Sequence, residues 1–137
     1  MNEKKNNRLE LLAPAGDMEK LRAAVKFGAD AVYLAGEAFG MRKASKNFSK
    51  EDLCEAVEFA HKNNVKVHVT LNIIPHEKEF TGLKDYILFL DKIKVDAVIV
   101  SDPGIFMEVK KNSNIDIHIS TQASVTNAET INFWSML

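Results

Sequence analysis

Two kinds of hydrophobic pattern alternate along the chain. Short β-branched runs are followed by loops with Gly, Pro, Asn or Asp, and then by stretches whose apolar residues recur at helical spacing. Arg8 to Ala13 reads as the first strand. A helix follows with Asp17 as its N-cap, Leu21, Ala24, Val25 and Gly28 on one face, and Gly28 as its stop. Ala31 to Ala35 is the second strand. Ser49 and Asp52 form a capping box, with Asp in the place of the usual Glu or Gln, for a helix carrying Leu53, Ala56, Val57 and Ala60. Val65 to Leu71 is the third strand, and Leu83, Tyr86, Ile87 and Leu90 mark the next helix. Ala97 to Val100 is the fourth strand, after which Asp102 caps a helix with Pro103 at its first position, where the missing N–H costs nothing. Ile115 to Ser120 is the fifth. Thr126 and Glu129 predict a capping box for a last helix with Ile131 and Trp134.

Strict alternation of strand and helix implies a parallel sheet with right-handed crossovers. Asp30-Ala31-Val32 recurs as Asp96-Ala97-Val98, 96 − 30 = 66 residues later, the length of two strand-plus-helix units. A doubly wound sheet and a barrel both fit five strands. The doubly wound sheet, covered on both faces, calls for strands apolar on both sides. Here Lys66, His68, Thr70 and Asn72 alternate with Val65, Val67, Val69 and Leu71, and Asp116, His118, Ser120 and Gln122 alternate with Ile117 and Ile119. Helices would cover the apolar set and the polar set would line a barrel. The fold class expected is therefore α/β, a parallel (β/α) TIM-barrel-like sheet. A complete barrel takes about 250 residues, so these 137 residues read as the N-terminal part of one barrel domain, about five units long, with residues 1–7 disordered.

Charge narrows the partners. Eighteen Lys+Arg against nineteen Asp+Glu leave a net charge of −1, with no basic stripe of the kind that marks a nucleic-acid surface. An RNA partner would need residues outside this segment. No apolar run approaches the roughly 18 residues needed to span a bilayer, and Met1 to Arg8 lacks an apolar signal core, so a cytoplasmic protein is expected. The single cysteine, Cys54, excludes an internal disulfide and any multi-cysteine metal site within these residues. It suits a small side chain on a helix flank, or isolated thiol chemistry.

In barrels of this type the active site gathers at the C-terminal ends of the strands. That rule selects Ala13 to Gly16, Gly36 to Arg42, Asn72, Ser101-Asp102 and Ser120 to Gln122. Arg42 suits a carboxylate or phosphate, or is a solvated loop cation. Asn72 and Gln122 suit hydrogen bonding to a ligand, or to loop backbone. His68 and His118 share the inward register with Glu10, Thr70 and Ser120. The histidines would bind metal, move protons, or be satisfied structurally; no metal-ligand set is assigned. Glu10 is expected to pair with a cation from a strand beyond this chain, and His61 and His76 to be simple surface residues. The sequence has no H-E-x-x-H, G-x-S-x-G, P-loop or G-x-G-x-x-G, so the catalytic residues stay unassigned.

Several ordered motifs together resemble the opening of peptidase family U32, the collagenase-like proteases. They are Glu10-Leu-Leu-Ala-Pro-Ala-Gly16, Gly28-Ala-Asp-Ala-Val-Tyr-Leu34, Gly40-Met-Arg-Lys-Ala-Ser-Lys-Asn-Phe-Ser49, Val69-Thr-Leu-Asn-Ile-Ile-Pro75, Val100-Ser-Asp-Pro-Gly104 and His118-Ile-Ser-Thr-Gln-Ala123. The resemblance implies a TIM-like barrel at the N-terminus of a longer enzyme. It further implies hydroxylation of tRNA, ribosomal RNA or a quinone precursor, with an iron–sulfur cluster on cysteines beyond Leu137 and no cofactor within this segment. On the same resemblance Arg42, Asn72, Asp102, His118 and Gln122 are supporting positions. Two other readings stand beside it: a peptidase acting on collagen-like peptides, and a non-catalytic half-barrel. In the last, the unpaired edges of the first and fifth strands recruit further copies into a homo-oligomer.

Overall fold

The computed structural model describes residues 9–41 and 47–137. Five parallel strands, β1 (Leu12–Pro14), β2 (Ala31–Leu34), β3 (Lys66–Leu71), β4 (Ala97–Val100) and β5 (Asp116–Ile119), pair in their chain order. Helices α1 (Met18–Lys26), α2 (Lys50–Lys62), α3 (Leu83–Lys92) and α4 (Pro103–Asn112) form the crossovers, and α5 (Ala128–Met136) follows β5. An order that never reverses has no topological switch point, so crossovers of one hand place their helices on one side of the sheet. This is the pattern of a barrel wall and not of a doubly wound sheet. β1 pairs only with β2 and β5 only with β4, leaving both edges open among the described residues.

The core lies between sheet and helices. Val32, Leu34, Val67, Val69, Leu71, Val98 and Val100 meet Leu21, Leu53, Ile87, Leu90 and Ile105, all at most 2% exposed. Helices α2 and α3 bury the stripes that their spacing predicts, Leu53, Ala56, Val57 and Ala60 in one and Leu83, Tyr86, Ile87 and Leu90 in the other. By contrast, α1 buries only Leu21 of its expected face and α5 leaves Ile131 exposed.

Helix ends follow local chemistry. Asp17, Ser49 and Asp102 accept from the backbone N–H groups of Lys20, Asp52 and Ile105, respectively. At the other end, three helices close alike. Gly28, Asn64 and Lys94 take left-handed φ values of 89°, 57° and 65°. The next N–H in each case returns to a carbonyl five residues back: Ala29 to Ala24, Val65 to Ala60, Val95 to Leu90. These are Schellman caps, which place one apolar residue under the helix before the following strand begins.

The repeated Asp-Ala-Val has a structural role. Asp30 N–H donates to the Leu11 carbonyl while Asp30 Oδ2 accepts from Leu11 N–H, both at 2.9 Å. Asp96 does the same to Val67, at 3.0 and 2.7 Å. Each even strand is thus clasped to the preceding odd strand or its approach. The clasp also accounts for the first correction. β1 starts at Leu12 rather than Arg8, because Leu11 is occupied by Asp30 and ladder pairing begins only at Leu12↔Ala31. Leu9 and Leu11 are exposed.

A second correction concerns α5. Its cap is Asn127, whose Oδ1 accepts from Thr130 N–H at 2.9 Å, so a simple N-cap one residue later replaces the expected box between Thr126 and Glu129. The expected disorder of residues 1–7, and Arg8 itself, lie outside the described residues.

Candidate functional site

Alternation along the strands gives the sheet's second face to Leu12, Pro14, Tyr33, Lys66, His68, Thr70, Ile99, Asp116 and His118. Strand register orders them into rows. Pro14, Tyr33, His68, Ala97 and Asp116 stand level across all five strands, and Thr70, Ile99 and His118 form the next row toward the C-terminal ends.

The upper part of this face is a cavity of about 560 Å³. Leu12, Tyr33 and Ile99 give it apolar walls, and the rim carries Asn47, Thr70, Asn72 and Gln122. None of the described residues lining it carries a full charge except His118 when protonated. Asn72 Oδ1 accepts from Met41 N–H at 3.4 Å, and its backbone carbonyl accepts from Ser101 Oγ at 3.0 Å. It therefore ties the β2–α2 loop to the ends of β3 and β4 while lining the cavity. Phe39, in the same loop, holds φ 61°, a left-handed value that costs about 1–2 kcal/mol for a residue with a Cβ. Its carbonyl receives Ile73 N–H at 3.4 Å. Ser120 is buried and caps the short 3-10 turn Thr121–Ala123 through Gln122 N–H at 3.3 Å. That turn brings Gln122, exposed, to the rim.

The lower part is a smaller polar cavity of about 190 Å³ at the N-terminal ends of the strands, lined by Glu10, Lys66, His68, Asp96, Asp116 and His118. Here Glu10 departs from expectation: its cation is Lys66 of β3, at 3.2 Å, and not a group from beyond the chain. The hydrogen bond from Lys66 also holds that ammonium above its ordinary pKa. His61 is exposed, as expected, and its Nε2 lies 2.8 Å from Asp96 Oδ2.

His118 lines both cavities. Its ring meets His68 edge to face, with centroids 4.7 Å apart and planes at 87°. His68 is 2% exposed, and burial first, then the neighbouring His118, pushes its pKa below the ordinary imidazole value. Its Nδ1 and the Tyr86 hydroxyl are the buried side-chain polar atoms that lack a hydrogen-bond partner among the described residues.

The structure thus gathers Asn72, His118, Gln122 and Thr70 around one cavity, and Glu10, His68 and His118 around the other. Asp102 is not among the residues lining either; its Oδ1 accepts Ile105 N–H at 3.0 Å as a helix cap. Arg42 lies outside the described residues. Tyr33 and Ile99 were not singled out by sequence. Their signal was parity, for in each strand they occupy the alternate position that the helices leave uncovered.

No group of three or more His, Cys, Asp or Glu side chains is arranged to hold a metal among the described residues. Cys54 is exposed on α2, on the helical side of the sheet. A cluster that needs several thiolates therefore does not fit the residues of this chain. No helix among the described residues is long and apolar enough to cross a membrane.

Comparison with known proteins places this geometry. The chain is 44% identical over 126 residues to tRNA hydroxylation protein P1 of Bacillus subtilis, covering 91% of this chain and 30% of that protein. It is 34% identical to a collagenase of Porphyromonas gingivalis, covering 94% and 31%. The solved structure of a U32 peptidase superposes with a TM-score of 0.70 at 15% identity, over 90% of this chain and 53% of that one. The chain spans about 30% of the length of these curated relatives. The profile of peptidase family U32 matches residues 16–137, and the chain belongs to that family.

Proposed function

We propose that this chain forms the substrate-facing barrel wall of an enzyme that hydroxylates RNA, and that the upper cavity receives the reacting nucleobase. The observation that carries this reading is the cavity itself: apolar walls from Leu12, Tyr33 and Ile99, with a rim of neutral hydrogen-bonding groups from Asn47, Thr70, Asn72 and Gln122. A flat, uncharged ring with donor and acceptor edges matches that lining, as unstacked bases are read by stacking and by amide contacts. Similarity to a tRNA hydroxylation protein supports the choice.

The net charge of −1 assigns grip on the phosphate backbone to parts of the longer protein outside this chain. The same applies to an iron–sulfur cluster, whose cysteines would have to come from outside these residues. Such a cluster would supply electron-transfer chemistry; this wall would bind and orient the base and exclude water from it. A longer, anaerobically purified protein carrying this chain is expected to contain iron and sulfide.

The peptidase reading has one specific support, the similarity to a collagenase. One experiment separates the two. Nucleosides from the source organism's tRNA and ribosomal RNA are analysed by mass spectrometry with the gene intact, deleted and restored. Loss and return of a nucleoside one oxygen heavier supports hydroxylation. Unchanged nucleosides, with gelatin cleavage by the purified protein, would overturn it.

A further inference from the structure

The lower cavity and the histidine pair are not used by base binding alone. His118 borders both cavities, and His68 lies beneath it, buried, with Nδ1 unpartnered among the described residues. Among the described residues, the charged groups near the pair are identifiable. Glu10 and Lys66 form an ion pair, and Asp96 is engaged by His61 and Val67 N–H. Asp116 lines the lower cavity, Tyr33 pairs with His68 from β2, and Thr70 is level with His118 across Ile99. Two imidazolium rings in edge-to-face contact, one of them out of water, repel each other. The carboxylates below favour one positive charge on the pair.

We propose that His68 and His118 act as one proton-exchanging unit of the substrate cavity. The unit holds at most one positive charge, which the initially neutral His118 ring acquires when it takes a proton, and His68 stays neutral as its positioning residue. This rests on the upper cavity being the substrate site. His118 takes a proton from the bound ring through an imidazole nitrogen lone pair, the bonding electrons staying on the substrate. It returns that proton to solvent through the lower cavity, past Asp116. The substrate class implied is a ring with a hydrogen that must leave or exchange during reaction.

The test has two arms in the full-length protein. Ring-nitrogen NMR between about pH 4 and 9 follows both histidines in wild type, His118→Gln and His68→Gln. His68 should remain neutral in wild type while His118 is protonated, and should take up its proton at higher pH in His118→Gln. A His68 titration untouched by His118→Gln overturns the proposal. The second arm is the RNA hydroxylation rate against pH. His118→Gln should lower it at least about tenfold throughout, whereas His68→Gln should shift the pH profile of the rate. Full activity in folded His118→Gln overturns the proposal. If wild type makes no hydroxylated RNA, the functional reading fails, and the NMR arm still decides whether the two rings act as a unit. His118 is exposed, so its variant should keep the fold should His68→Gln fail to do so.

Discussion

His61 Nε2 and Asp96 Oδ2 lie 2.8 Å apart, and the same carboxylate oxygen accepts Val67 N–H at 2.7 Å. A helix end, a strand end and a loop are joined at one atom. The backbone bond is the partly buried one, so its loss should dominate. Asp96→Ala should cost about 1–3 kcal/mol, the range for stripping a buried N–H of its acceptor. His61→Gln should cost no more than about 1 kcal/mol, because both side chains of that contact are about a third exposed. Urea unfolding of the two variants checks the order.

The left-handed caps make a prediction of opposite sign. Lys94 holds φ 65° with a full side chain, whereas Asn64 is a residue type that tolerates this region. Lys94→Gly should stabilise by about 0.5–1 kcal/mol, and Asn64→Gly by less. Thermal midpoints of the pair measure this.

Tyr86 and Gly36 form a tight contact on the helical side. A side chain at Gly36 would collide with the Tyr86 hydroxyl, which has no hydrogen-bond partner among the described residues and whose ionisation is suppressed by burial and then by Glu37. Gly36→Ala should therefore destabilise by about 1–3 kcal/mol. Tyr86→Phe, which removes an unsatisfied buried hydroxyl, should be neutral or slightly stabilising. The double variant should recover much of the loss, and a double-mutant cycle reads the coupling. Additive effects would mean that the contact carries no energy.

Much of this fold was legible in the sequence, and the failures have local causes. Spacing located α1 to α4 because each needs one buried stripe, and the polar alternation of β3 and β5 identified the uncovered face. The start of β1 was misread because Leu9 and Leu11 look like core residues, whereas Asp30 takes the Leu11 backbone. Asn127 displaced Thr126 as a cap because both are good acceptors one residue apart. The site was legible only in part. Asn72, His118 and Gln122 follow from strand ends and parity, but Asp102 serves one residue type in two roles that spacing does not separate. The Glu10–Lys66 pair and the His61–Asp96 bond depend on strand neighbours, which only the three-dimensional register supplies.

Acidity should weaken the protein through His68. Its folded pKa is depressed below about 6.5 by burial and by His118, so the unfolded chain binds a proton that the folded chain refuses. Stability is then full above about pH 6.5 and is lost as pH falls through the unfolded value toward the lower folded one. Unfolding midpoints from about pH 7.5 to 5 should decline in wild type, and the slope should flatten in His68→Gln. An unchanged slope would contradict a neutral, buried His68.

The central claim is that the upper cavity holds the base that is hydroxylated. The most direct measurement is nucleoside mass spectrometry of RNA from cells whose only copy of the gene carries Asn72→Ala with Gln122→Ala. With the protein at normal abundance, the account predicts that the oxygenated nucleoside drops at least about tenfold, as expected when two hydrogen-bonding partners of a base are removed. An unchanged level of that nucleoside in these cells would contradict the assignment of this cavity.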